Sequence, residues 1–282
     1  MFKSYFLDRC ILHIKKKGIL SFIKNGINHI NYNLNPSKIG EFPFSFYFKK
    51  KRILNKKFIK KNLLKFDDVK FDNYCNYRLN TAKIIENPIV YSFGIGGQIK
   101  FEKEISRKFK NAKIFCFDPT AIKFIDNYSG PKNINLFPYG IWIEDKKIKF
   151  FHQEEDGGGA ITNYFGSTHQ IEIYHQCYKL KTLMKMYNHE KIDVLKMDVE
   201  GSAIEVMNNI LDDEIYPNQI AAEFEFAEYD DIPKDKMEKY TLFQEKLTKL
   251  INRMKNLNYK CYNNPRSTQP YAAIEIIFVK EI

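Results

Sequence analysis

The sequence is poor in the residues that would staple a small extracellular fold or build a structural metal site. Its 282 residues include five cysteines, at positions 10, 75, 116, 177 and 261, odd in number and never spaced as Cys-x-x-Cys. That pattern argues against a disulfide framework and against structural zinc, and it points to a reducing, cytoplasmic compartment. No apolar run approaches the roughly 20 residues that cross a bilayer. The opening MFKSYFLDRC is interrupted by Asp8 and Arg9, unlike the apolar region of a secretory signal. Acidic residues are scarce at one end: residues 1–65 hold 2 of the 34 Asp/Glu but 16 of the 45 Lys/Arg. The net charge of +11 is therefore N-terminal, and the remaining residues carry a balance of −3. There is a single tryptophan, and there is no internal repeat.

What is present suffices for one sizeable α/β domain with an appendage, since 44% of the residues are hydrophobic and 15% aromatic. The division reads as a basic, helical N-terminal extension over residues 1–80 and a main domain over 81–282. Within the extension, apolar residues recur at near-helical spacing from Tyr5 to Ile30 and again in FSFYFKKKRILNKKFIKKNLLKF. Its simplest reading is a solvated helical lid packed on the main domain. The alternative is a basic amphipathic face that meets anionic lipid at the inner membrane surface. Nucleic acid is the weaker partner, because no recognised binding motif accompanies the charge.

From Pro88 strands and helices alternate. Strands are expected at Ile89–Phe93, Lys113–Phe117, Ile134–Phe137, Ile192–Met197 and Gln219–Phe226, with helices over Gln98–Lys110, Ala121–Tyr128, Gly201–Leu211 and Lys236–Asn256. Two last strands, Tyr259–Tyr262 and Ala272–Val279, follow without an intervening helix. This order predicts a mostly parallel sheet of seven strands, helices on both faces and an antiparallel finish. An insertion over about 141–179 interrupts the alternation.

Three segments bear chemistry. In VYSFGIGGQIKFEKEI a strand runs into Gly94, Gly96 and Gly97 and then a helix, so that backbone can turn tightly and a ligand can approach helix N–H groups. About 20 residues on, FCFDPT leaves Asp118 at a strand end, where an acidic residue meets ribose hydroxyls in nucleotide-type folds. Each signal is weak alone; together they indicate a ribose-bearing ligand across the first two strand ends. The third segment is KIDVLKMDVEG, Lys191 to Gly201, apolar from Ile192 to Met197 save Asp193 and Lys196, as a strand buried on both faces reads. It delivers Asp198 and Glu200 to the carboxyl edge, and the next strand ends in Glu223 and Glu225. If those strands are neighbours, up to four carboxylates surround one cleft and supply a general base or a divalent metal site, Mg²⁺ being the natural ion. Otherwise Glu200 caps the following helix and Glu223 or Glu225 faces solvent. His152, His169 and His175 fall in the insertion, where a substrate lid would lie, and any of them is a second candidate for the base.

YSFGIGG, FCFDPT, LFPYGIW and YKLKTLMKMYNHEKIDVLKMDVEGSAIEVM, in this order, resemble the FkbM-type methyltransferases and the related methyltransferase-like 24 group. The resemblance spans roughly residues 88–280. It implies a Rossmann-like class I methyltransferase fold, S-adenosyl-L-methionine as cofactor, and a small-molecule or glycan acceptor. It implies that Gly94, Gly96 and Gly97 underlie the methionine and ribose, that Asp118 holds the ribose, and that Tyr139, Gly140 and Ile141 flank the adenine. Asp198 and Glu200 would face the methyl group and acceptor. One position departs from the general methyltransferase pattern: Ser92 stands where an acidic residue usually precedes the first glycine by two, so the clasp on the cofactor's amino group comes from elsewhere or from hydroxyl and backbone contacts. The expected activity is O-methylation of a sugar hydroxyl in a surface glycan, nucleotide sugar or natural product. A nicotinamide-dependent oxidoreductase and a non-catalytic docking module on the same fold are the alternatives.

Overall fold

The structure, a computed structural model, describes residues 44–66, 70–153, 159–160, 170–226, 235–264 and 273–281. β-Branched and aromatic runs bounded by turn residues become the strands β3 (Ile89–Phe93), β4 (Lys113–Phe117), β5 (Ile134–Phe137), β10 (Val194–Met197) and β11 (Gln219–Glu225). These five are parallel, and β12 (Tyr259–Asn263) and β13 (Ala273–Lys280) complete a seven-stranded sheet of order β12-β13-β11-β10-β3-β4-β5. The last strand, β13, is antiparallel to both of its neighbours. The mostly parallel sheet with an antiparallel last strand is thus as expected from the alternating pattern.

Residues on the two faces of each central strand go to two separate cores. Tyr91, Phe93, Leu195, Met197, Ala222 and Phe278 pack with the helices on one side. Val90, Val194, Ala221 and Ile277 pack on the other. The crossover helices are α2 (Lys100–Lys108), α3 (Ile122–Asp126), α4 (Leu180–Met186), α5 (Ala203–Asp212) and α6 (Asp235–Asn256). In α5, Ile204, Val206, Met207, Ile210 and Leu211 are all buried, the three- and four-residue spacing of a helix laid on a sheet.

Before β3 the chain is not purely helical. Helix α1 (Phe44–Asn62) is followed by a hairpin of β1 (Asp72–Tyr74) and β2 (Tyr77–Leu79), within the stretch expected to be a helical extension. Phe58 and Leu63 join the core shared with Leu247, Leu250 and Met254 of α6, and the Lys255 ammonium donates to the Asn62 carbonyl. The hairpin is fastened by Asn80, whose backbone N–H and C=O both bond the buried Gln219 amide at 2.9 Å. Apolar burial of Tyr74, Tyr77 and Leu79 outweighs helix propensity there. The expected helix from Tyr5 to Ile30 lies outside the described residues.

The insertion forms a second sheet of order β6-β9-β7-β8, with β6 at Gly140–Ile141, β7 at Lys146–Gln153, β8 at Gly159–Ala160 and β9 at Gln170–Tyr178. Strands β7 and β9 pair over eight residues. Among the described residues no helix is long and apolar enough to cross a membrane.

Candidate functional site

Strands β3 and β10 are adjacent, and the chain leaves them in opposite directions, from β3 towards β4 and from β10 towards β11. A crevice opens beyond the carboxyl ends of strands at such a reversal. Here it is a cleft of about 380 Å³, walled by the glycine turn, the ends of β4 and β10, strand β6, Phe150 of β7 and the tip of the β1–β2 hairpin.

The glycine turn is shaped by close approach. Gly94 has φ +72°, and a Cβ there would stand 1.7 Å from the Asp198 carbonyl oxygen, so only glycine fits between β3 and the β10 exit. Gly96 has φ +53° with nothing within 4 Å of where its Cβ would be, leaving backbone open to the cleft. Its N–H donates to Asp118 Oδ2 at 2.8 Å. Asp118 is buried, and its Oδ1 accepts from the Thr120 N–H at 2.8 Å and the Thr120 hydroxyl at 2.7 Å. A carboxylate offers about four acceptor directions. Three are occupied, and the fourth, on Oδ2, is available to a ligand hydroxyl.

At the end of β10 the Asp198 N–H donates to the Phe93 carbonyl at 3.1 Å, tying the turn to β3. The Asp198 carboxylate receives the Tyr77 hydroxyl at 3.2 Å and lies 3.6 Å from the Lys196 ammonium. Lys196 is buried in the strand, and its ammonium also donates to the Gly94 carbonyl at 2.6 Å. A buried ammonium is tolerable only with such partners. The Asp198 side chain keeps 26% of its surface exposed, enough to meet an acceptor. Glu200 also lines the cleft, before Gly201 turns the chain into α5.

Several expected site residues therefore share one cleft: Gly94, Gly96, Asp118, Gly140, Ile141, Asp198 and Glu200. Others do not line it. Ser92 is fully buried and donates to Glu102 Oε1 at 2.5 Å. Gly97 faces Phe124, and Tyr139 packs on Phe137 and Tyr178. His175 lies edge-on to Phe150, which does reach the cleft. Glu223 is buried opposite Glu275 in one rung with β13, and Glu225 stands opposite Ala273. The expected ring of four carboxylates is reduced to Asp198 and Glu200, because β11 lies beyond β10 from β3, one strand removed from the β10–β3 crevice. His152 is on β7 opposite Ile171, with its side chain outside the described residues, as is all of His169.

Three cleft residues escaped sequence reasoning. Tyr77 and Glu102 carried no local signal. Lys196 did: a lysine inside an apolar run marks a buried charge with a task. Asp193, the other exception in that run, is explained as structure, accepting from the Ile89 N–H at 2.9 Å and the Asn218 amide at 3.0 Å.

A family model described as the methyltransferase FkbM domain matches residues 40–261. The chain belongs to the FkbM methyltransferase family. It is accordingly an S-adenosylmethionine-dependent methyltransferase, and the oxidoreductase alternative falls away. No curated protein matches the sequence significantly. Solved structures resemble it loosely. One is a fibrillarin/Nop5p complex, at 8% identity over 70% of this chain and 75% of that one, with a TM-score of 0.38. Another is precorrin-6y C5,15-methyltransferase from Geobacter metallireducens GS-15, at 12% identity over 69% and 81%, with a TM-score of 0.33. A third is human N-acetylserotonin methyltransferase in complex with SAM, at 11% identity over 70% of this chain and 48% of that one, with a TM-score of 0.34. Superpositions this loose carry no functional argument.

The cleft of this FkbM-family protein fits a nucleoside with an amino-acid tail. It offers open backbone at Gly96, a free acceptor direction on Asp118, and apolar walls from Phe117, Ile141 and Phe150. A divalent ion fits less well. Among the described residues no group of three or more His, Cys, Asp or Glu converges to hold one, so the expectation of Mg²⁺ finds no donor set.

Proposed function

We propose that this methyltransferase acts on oxygen, and that the acceptor is a sugar hydroxyl of a glycan, a nucleotide sugar or a natural product. The observation that carries the reading is the Asp198 carboxylate, accessible in the cleft wall and oriented by Tyr77 and Lys196. When bound, the cofactor supplies an electrophilic methyl group on a sulfonium. Gly94 and Gly96 present backbone to its methionine and ribose, Asp118 accepts from a ribose hydroxyl, and Ile141 and Phe150 give the adenine an apolar wall. Asp198 would take up the acceptor's hydroxyl proton; overall the methyl passes from sulfur to that oxygen, the sulfur keeps the bonding pair, and the products are a neutral methyl ether, S-adenosylhomocysteine and a protonated Asp198. Because its carboxylate is already held in place, little orientational freedom remains to be lost at the transition state. Glu200, beside it, accepts from neighbouring hydroxyls of a polyol.

The reading includes a cytoplasmic setting, with the basic residues 1–65 against the anionic inner membrane surface; the charge distribution supports it. The test uses methyl-labelled cofactor with fractionated glycans and nucleotide sugars. Label should enter a carbohydrate fraction as an alkali-stable ether. Asp198→Asn should lower that incorporation by about 10²-fold or more, the range of a lost general base, while S-adenosylhomocysteine still binds. Label released by mild alkali, as from a methyl ester, would overturn the hydroxyl assignment. Full activity in Asp198→Asn would move the base to a histidine of the insertion.

A further inference from the structure

The cofactor brings an α-ammonium group into the cleft, and a cation entering a partly buried site needs an anion there. Four carboxylates line the cleft: Glu102, Asp118, Asp198 and Glu200. Asp118 is committed to Gly96 and Thr120, and Asp198 to Tyr77 and Lys196. Glu200 belongs to the turn that leaves β10 for α5, and not to the glycine turn that leaves β3. Glu102 differs from all three. It sits in the first turn of α2, immediately after the glycine turn, and is 1% exposed, yet it contributes to the cleft wall. Its Oε1 accepts from the Ser92 hydroxyl, and no hydrogen bond reaches Oε2 among the described residues.

We infer that Glu102, held by Ser92, is the carboxylate that binds the ammonium end of the cofactor. A serine on β3 two residues before Gly94 is too short to reach a ligand itself. What Ser92 does is fix a longer acidic side chain delivered from the neighbouring helix. The short 2.5 Å contact places the Glu102 carboxyl against the strand end, next to the glycine turn. The helix N-terminus gives the carboxylate a favourable field before any ligand arrives. Burial makes the pairing selective: an ionised carboxylate with one hydroxyl donor gains most from a ligand that supplies both charge and N–H donors. Ser92 is then a positioning residue and Glu102 a cofactor-binding one.

The inference rests on the cleft holding S-adenosylmethionine, and the experiment separates the two. Calorimetry measures S-adenosylhomocysteine, which carries the ammonium, and 5′-methylthioadenosine, which lacks the whole amino-acid tail. If the wild-type protein binds neither, the cofactor reading itself fails. If it binds both, Glu102→Gln should weaken S-adenosylhomocysteine at least 10-fold and 5′-methylthioadenosine less than 2-fold. Ser92→Ala should act in the same sense, more weakly. The double variant Ser92→Asp with Glu102→Gln returns a carboxylate to the same place and should recover much of the lost affinity. Equal weakening of both ligands by Glu102→Gln shows a merely structural pair and overturns the inference, as does no weakening of either. If Glu102→Gln does not fold, the Ser92→Ala ratio decides: unequal loss supports the assignment and equal loss refutes it.

Discussion

Replacing Gly94 and Gly96 separately by alanine distinguishes a glycine needed for folding from one needed for the ligand. At Gly94 the new Cβ meets the Asp198 carbonyl oxygen at 1.7 Å, and that gap must widen by more than 1 Å to reach 3.0 Å, the least a real Cβ tolerates. The obstructing atom is backbone and cannot rotate away. Both partners are also tethered, Gly94 N–H to the Phe117 carbonyl and Asp198 N–H to the Phe93 carbonyl, each at 3.1 Å. Overpacking of this kind costs about 1–3 kcal/mol or more, and a left-handed backbone conformation at a non-glycine residue adds roughly 1–2 kcal/mol. A total near 4 kcal/mol corresponds to a fall of about 8–16 °C in melting temperature for a domain of this size. At Gly96 only the backbone cost applies, roughly 1–2 kcal/mol and a fall of about 2–8 °C, because nothing lies within 4 Å. Its Cβ instead projects into the space assigned to the cofactor. Melting with S-adenosylhomocysteine at 100 times its dissociation constant should stabilise the wild-type protein by about 2.7 kcal/mol and leave Gly96→Ala unmoved. Gly94→Ala melting within about 3 °C of wild type would falsify the close approach of the two loops. A full ligand shift in Gly96→Ala would remove the cofactor from that part of the cleft.

Two further outcomes follow from buried polar groups. Asp193→Ala takes the acceptor from the half-buried Ile89 N–H at the opposite end of β10, while the exposed Asn218 amide turns to water; at about 1–3 kcal/mol for one unsatisfied group, urea unfolding should lose about 1–3 kcal/mol. Affinity for S-adenosylhomocysteine, measured where the variant is still folded, should be unchanged, and a tenfold loss would contradict the purely structural role. His189, with its Nδ1 2.9 Å from the Tyr91 hydroxyl, is held below the ordinary histidine value of 6.5 by burial, with the Lys113 charge adding to it. The unfolded chain therefore takes up a proton that the native state resists. Stability should fall as the pH drops below about 6.5, and the loss should end once the pH passes below the folded value. Urea midpoints between pH 8 and pH 5 would show this slope, and His189→Gln should flatten it; an unchanged slope in the variant assigns the effect to another group.

The sequence by itself determined the strands of the main sheet and the two halves of the site that are local in the chain. Strands β3, β4 and β5 begin and end where the β-branched and aromatic runs predict, because each run is bounded by residues that stop a strand within one or two positions. The glycine turn and the Asp before Pro119 were legible for the same reason: tight turns and strand ends demand particular residue types at the spot itself. Lys196 was visible as an exception in an apolar run, though its purpose was not. Only the tertiary structure decided which charges meet. Strand order puts the end of β10 beside β3, so Asp198 reaches the crevice, while Glu223 lies one strand farther out, in a rung with Glu275 of β13. Tyr77 joins Asp198 across 121 residues of chain, on a hairpin fastened by a glutamine from β11. Ser92 and Glu102, ten residues apart, meet only because α2 folds back along β3. Side-chain periodicity tells which face a residue occupies, and it is the packing of distant elements on that face that gathers Glu102, Asp118, Asp198 and Glu200 around one cleft.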